Sequence, residues 1–143
     1  MLSKTQIHSG LKSCMHCSQQ VLMEWAQELG YDREEAARMA APFGGGLFRG
    51  DTCGAVAGAM IAIGIKYGNS EPGGFEKDAA MVGIVKKFQE EFTARNGTMI
   101  CRELIGYDFS KPGEREKAKS NEETTALCIK FIQDSLEILD KIM

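Results

Sequence analysis

The 143-residue chain has few prolines, 3 in all, and a single tryptophan. Scarce proline leaves long stretches without the missing N–H and ring clash that break helices. Long apolar runs are absent too. The longest, residues 54–65, has 12 residues, short of the ~18 that a transmembrane helix requires, so no membrane insertion is expected. Excess positive charge is lacking as well: 17 Lys and Arg against 20 Asp and Glu leave a net charge of −3. A nucleic-acid groove needs clustered cations that release counterions, and this balance excludes one. No segment alternates apolar and polar residues with period two, so no strand is required. The first residues show no basic stretch followed by an apolar one, so no secretory leader is read and the expected compartment is cytoplasmic. Thiols stay reduced there, which favours redox or metal chemistry over structural disulfides.

What the chain does have is 43% apolar residues, 26% charged residues, 16 glycines, 8 methionines and 5 cysteines. That composition supports one domain over residues 1–143 with a sizeable core. Helical rhythm dominates. Val21, Leu22, Trp25 and Leu29 form one stripe, ended by Gly30, and Asp32 offers an N-cap to the next helix, which stops at Pro42. Residues 43–50 hold four glycines and read as a loop. Asp51 or Thr52 can cap a helix over residues 53–67, whose strip of Gly54, Ala55, Gly58, Ala59 and Ala62 invites close approach by a neighbour and makes this helix central. Residues 75–95 read as a long amphipathic helix ended by Asn96-Gly97. Thr98 can cap a short helix closed by Gly106, residues 107–120 read as a charged surface loop, and residues 121–142 form the last helix. The expected fold class is all-α, a compact helical bundle of five to seven helices. The methionines are expected as core filler.

The cysteines are Cys14, Cys17, Cys53, Cys101 and Cys128. Cys53 and Cys101 fall in first helical turns, where free amides and the macrodipole favour a thiolate. Cys53 is the expected nucleophile, with a pKa below the ordinary ~8.5. Cys128 lies on an apolar helical face, where desolvation should raise its pKa and suit it to a resolving role. Cys14 and Cys17 make a CxxC pair, but no strand precedes it as a thioredoxin-like context would require. His16 is expected at the surface.

The segments Cys17-Ser18-Gln19-Gln20-Val21-Leu22, Phe43-Gly44-Gly45-Gly46, Cys53-Gly54-Ala55-Val56-Ala57-Gly58-Ala59, Cys101-Arg102-Glu103-Leu104-Ile105-Gly106 and Cys128 occur in an order that resembles the C_GCAxxG_C_C family. The resemblance covers essentially the whole chain. It implies a redox-active protein whose four characteristic cysteines map onto Cys17, Cys53, Cys101 and Cys128, leaving Cys14 outside the pattern. It also implies a partner that is an oxidoreductase or is associated with a transporter, and for some members a prosthetic group such as an iron–sulfur cluster.

Two readings of the four cysteines stand side by side. In the first they carry thiol–disulfide chemistry or redox sensing. In the second they ligate zinc or an iron–sulfur cluster, since four thiolates suit either, although spacings of 36, 48 and 27 residues are unlike compact zinc pairs. Both readings require the four to meet in space. Gly44, Gly45, Gly46 and Gly54 could expose amides to a small substrate, although there is no phosphate-loop pattern and no preceding strand.

Overall fold

The computed structural model describes residues 1–143. Its helices, in chain order, are α1 (Lys4–Lys12), α2 (Cys17–Trp25), α3 (Arg33–Ala40), α4 (Gly54–Tyr67), α5 (Phe75–Asn96), α6 (Cys101–Ile105), α7 (Glu114–Ser120) and α8 (Glu122–Ile142). There is no strand, only an isolated bridge between Thr52 and Ile100. The all-α class holds, while the count of eight exceeds the expected five to seven. The additions are α1, held by a Ser3–Gln6 capping box, and α7, which lies inside the stretch expected to be a loop. Each buries one side chain, Ile7 or Ala118. Helix α7 holds one apolar residue and α1 two, Ile7 and Leu11, too few to show a period.

Several termini follow local chemistry. Asp32 accepts from the Glu34 and Glu35 amides at 3.1 and 3.2 Å, and Asn121 caps α8 from Glu123 at 2.9 Å. Gly97 and Gly106 close α5 and α6 in the left-handed region. The start of α4 differs from expectation: Cys53 itself is the N-cap and no side chain caps the helix. Asp51 instead turns its carboxylate to Arg102 at 3.1 Å. Thr98 accepts from the Ile100 amide at 3.1 Å, but Ile100, not Thr98, is the N-cap of α6.

Helix α4 is central, packing on α2, α5 and α8. Its Ala55, Ala59 and Ala62 are fully buried, and a Cβ on Gly58 would sit 2.5 Å from the Ser18 carbonyl oxygen. The α2–α4 crossing is therefore closer than side chains allow. Polar residues of α2 tie the surrounding helices: the Ser18 hydroxyl donates to Ala40 O at 2.7 Å, Gln19 to Ala37 O at 3.0 Å, and Gln20 to Ile7 O at 3.2 Å. Phe88 stacks on Phe92 with centroids 6.1 Å apart, and Phe92 meets Phe131 at the same distance. Of the methionines expected in the core none is fully buried, and Met15 and Met39 are exposed. The first half of α5 stands largely in solvent, with Phe75 83% exposed.

Candidate functional site

Three helix starts and one helix face converge at one end of α4. Cys17 opens α2 and Cys101 opens α6, Cys53 precedes α4, and Cys128 projects from α8. All four line one cavity of about 130 Å³. Cys53 and Cys101 are buried, and Cys17 and Cys128 half-buried. Cys14 is exposed and does not line the cavity. None of the five is in a disulfide.

Two backbone arrangements hold this convergence. Residues 51–53 and 99–101 run antiparallel: the Cys53 amide donates to Met99 O at 2.7 Å and the Cys101 amide to Asp51 O at 2.6 Å. That reciprocal clamp seats two cysteines 48 positions apart beside each other. Upstream, Gly45, Gly46, Leu47, Phe48 and Gly50 all have positive φ, between 55° and 74°, so the chain coils tightly before entering α4. Leu47 and Phe48 pay a steric cost there that glycine would not.

The glycines separate by role. Gly45 and Gly54 line the cavity. A Cβ on Gly54 would lie 3.2 Å from the Cys17 Cβ, so its lack of a side chain lets the Cys17 and Cys53 segments meet. Gly44 and Gly46 do not line it: Gly44 packs under His16, and Gly46 folds against the Asp51 backbone.

Burial dominates the thiol electrostatics. Desolvation pushes the Cys53 pKa up to about 12, outweighing the lowering effect of the Ala55 and Val56 amides at the helix N-terminus. Cys101 is likewise pushed up to about 12 by burial and by neighbouring Cys53 and Cys128. The expectation of a depressed pKa at Cys53 and Cys101 is thus reversed, because amides at a helix end cannot replace the water that a thiolate loses. Cys17 and Cys128 behave as a pair. Their mutual interaction, with burial, pushes Cys17 up, and the same interaction holds Cys128 down. Cys128, expected to be raised by desolvation, is the thiol held below its ordinary value, because its interaction with Cys17 outweighs its burial.

Other lining residues escaped the sequence reading. His16 was expected at the surface, but it is half-buried at the cavity wall, its ring set edge-on to Phe48 with centroids 5.1 Å apart. Burial and then the charges of Arg115 and Lys119 lower its pKa, keeping the imidazole neutral. The only sequence signal was its place directly before Cys17. Leu104, Phe109 and Phe131 give the cavity apolar walls, and Lys12 and Lys119 also line it.

A family model described as "Putative redox-active protein (C_GCAxxG_C_C)" matches residues 15–142. The chain belongs to the C_GCAxxG_C_C family. No curated protein and no solved structure matches it. Cys17, Cys53, Cys101 and Cys128, the four that line the cavity, all lie inside the matched span, and Cys14 falls just outside it. The prosthetic group that the resemblance implied fits this arrangement poorly. No three Cys, His, Asp or Glu side chains converge as a metal ion requires. No helix is long and apolar enough to cross a membrane.

Proposed function

We propose that this member of the C_GCAxxG_C_C family carries out thiol–disulfide exchange, with Cys17 and Cys128 as the reacting pair. The observation that carries this reading is the meeting of four unlinked cysteines around one cavity, with Cys17 and Cys128 near enough to shift each other's proton affinity. The Cys128 thiolate attacks one sulfur of an incoming disulfide. That S–S bond breaks, a mixed disulfide forms on Cys128, and the departing thiolate takes up a proton. Cys17 then loses its proton, attacks the Cys128 sulfur and releases the second thiol. Two electrons and two protons leave the cysteine pair, and the incoming disulfide becomes two thiols. A partner oxidoreductase supplying two electrons would regenerate the dithiol. Cys53 and Cys101, protonated at neutral pH, form a second pair that reacts only after the first.

The test is controlled oxidation of reduced, anaerobically purified protein, followed by metal analysis and peptide mapping by mass spectrometry. The expected result is a colourless protein that loses two thiols first, in a Cys17–Cys128 link, and in which Cys128→Ser abolishes that link. Stoichiometric iron or zinc, or first oxidation at Cys14 alone, would defeat the reading in favour of a metal-binding module or a surface thiol.

A further inference from the structure

The shape and charge of the cavity narrow what the pair can react with, on the condition that the dithiol reading above holds. Cys53 and Cys101 are 3% and 8% exposed, and the other two thiols are reached beside them in a space of about 130 Å³ walled by Leu104, Phe109 and Phe131. A disulfide in a folded protein brings two backbones with it, their Cα atoms roughly 5–6 Å apart, and exchange needs an unobstructed line to one sulfur. A small organic disulfide has no such attachments.

The charge at the cavity is one-sided. Lys12 is neutralised by Glu122 at 3.3 Å and donates to Lys119 O at 3.1 Å. Lys119 lines the cavity and has no carboxylate partner, and neither has Arg115. Being four residues apart on α7, the two share a helix face. Arg115, just outside the lining, lies 4.9 Å over the Phe48 ring, which packs against His16 at the cavity wall.

We propose that the cavity takes a low-molecular-weight organic disulfide bearing a carboxylate, its anion held by Lys119 and Arg115 and its S–S bond presented to Cys128. Exchange releases two small thiols and leaves the Cys17–Cys128 disulfide, the electron count being that of the pair reaction above.

Three small disulfides of similar size test the charge: dithiodiglycolate (anionic), bis(2-hydroxyethyl) disulfide (neutral) and cystamine (cationic). Insulin serves as the polypeptide disulfide. The rate of Cys17–Cys128 link formation is measured with each on the reduced full chain and divided by the rate of the same disulfide with free N-acetylcysteine, which removes differences in intrinsic reactivity. The expected order is anionic, neutral, cationic, with an anionic-to-neutral ratio of about tenfold at low salt that shrinks as salt screens the cations. Lys119→Gln should reduce the ratio and Arg115→Gln with Lys119→Gln should bring it near one, with circular dichroism melts confirming that both variants fold. Insulin should be reduced no faster, relative to N-acetylcysteine, than cystamine. A ratio near one in the unaltered chain, a ratio unmoved by the double substitution, or insulin outpacing dithiodiglycolate would overturn the inference while leaving the dithiol reading intact. Failure of every disulfide to form the Cys17–Cys128 link would overturn both.

Discussion

Helix α8 shows two different ways of building a seam. Toward α5 it presents Lys130, Asp134, Glu137 and Lys141, which meet Asn96, Arg95 and Glu91 in a ladder of charge-assisted contacts: Arg95 to Glu137 at 2.7 Å, Lys130 to Asn96 at 2.6 Å, Asn96 to Asp134 at 3.1 Å and Lys141 to Glu91 at 2.9 Å. Below them Phe88, Phe92 and Phe131 pack ring against ring. Toward α4 and α6 the same helix presents Cys128 over a cavity, opposite a chain coiled through five positive-φ residues. The charged groups on the first seam are paired and its backbone is regular. The second holds buried thiols, two non-glycine residues in the left-handed region and empty space. Strain and voids are tolerated where the surrounding packing can carry them, and they collect at sites of chemistry.

Substitutions can break this comparison. The largest effect is expected on the regular seam: Phe92→Ala should cost about 3–5 kcal/mol in urea unfolding. Because Phe92 does not line the cavity, labelling of the folded fraction by limiting iodoacetamide should keep Cys128 ahead of Cys53. Next comes the α2–α4 crossing, where Gly58→Val drives a side chain into the Ser18 backbone and should cost about 1–3 kcal/mol. By shifting α2 it should also weaken the Cys17–Cys128 contact, so here the labelling advantage of Cys128 should shrink. If Phe92→Ala altered the labelling order and Gly58→Val did not, the two seams would not be separable.

Alkaline pH gives a third effect. In the fold Cys53 and Cys101 hold their protons up to about 12, whereas unfolded thiols ionise near ~8.5. The folded state binds the protons more tightly, so this contribution to stability is fully present below ~8.5 and is lost as pH rises toward 12. Denaturation midpoints in reductant should therefore fall between about pH 8.5 and 10.5, and the double variant Cys53→Ala, Cys101→Ala should flatten that fall. An equally steep fall in the double variant would assign it to other groups. The smallest effect sharpens the contrast through its sign. Leu47→Gly, at a half-exposed position with φ 60°, should stabilise by about 0.5 kcal/mol, the relieved strain exceeding the added chain entropy. Ala79→Gly in exposed α5 should cost about 1 kcal/mol. Thermal melts read both, and a loss of stability at Leu47→Gly would mean that coil carries no strain.

The regular parts were legible because their signals are local. Asp32 caps the helix it was expected to cap, Gly97 and Gly106 end helices, and the Gly58 strip marks a close crossing. Helix α7 was missed because Glu-Arg-Glu-Lys-Ala-Lys-Ser offers one apolar residue, and Lys119 and Arg115 matter only through what α7 faces. The meeting of the cysteines was expected from the motif, but not their protonation. A helix N-terminus can be read from sequence, whereas the amount of water excluded above it depends on α6 and α8 closing over it. The same holds for His16, whose half-buried place at the cavity wall depends on Phe48 and Arg115.

The antiparallel clamp between residues 51–53 and 99–101 also sets an effective concentration. In an unfolded chain, closing a ring between Cys53 and Cys101 would cost on the order of 4 kcal/mol of loop entropy. In the fold the clamp already holds the two segments together, so the local concentration of one thiol at the other exceeds that in the unfolded chain by about a thousandfold. By linkage, any oxidant that joined this pair would tighten the fold by the same amount that the fold favours the bond. Resistance to unfolding and readiness to be oxidised are then one equilibrium constant read from two directions.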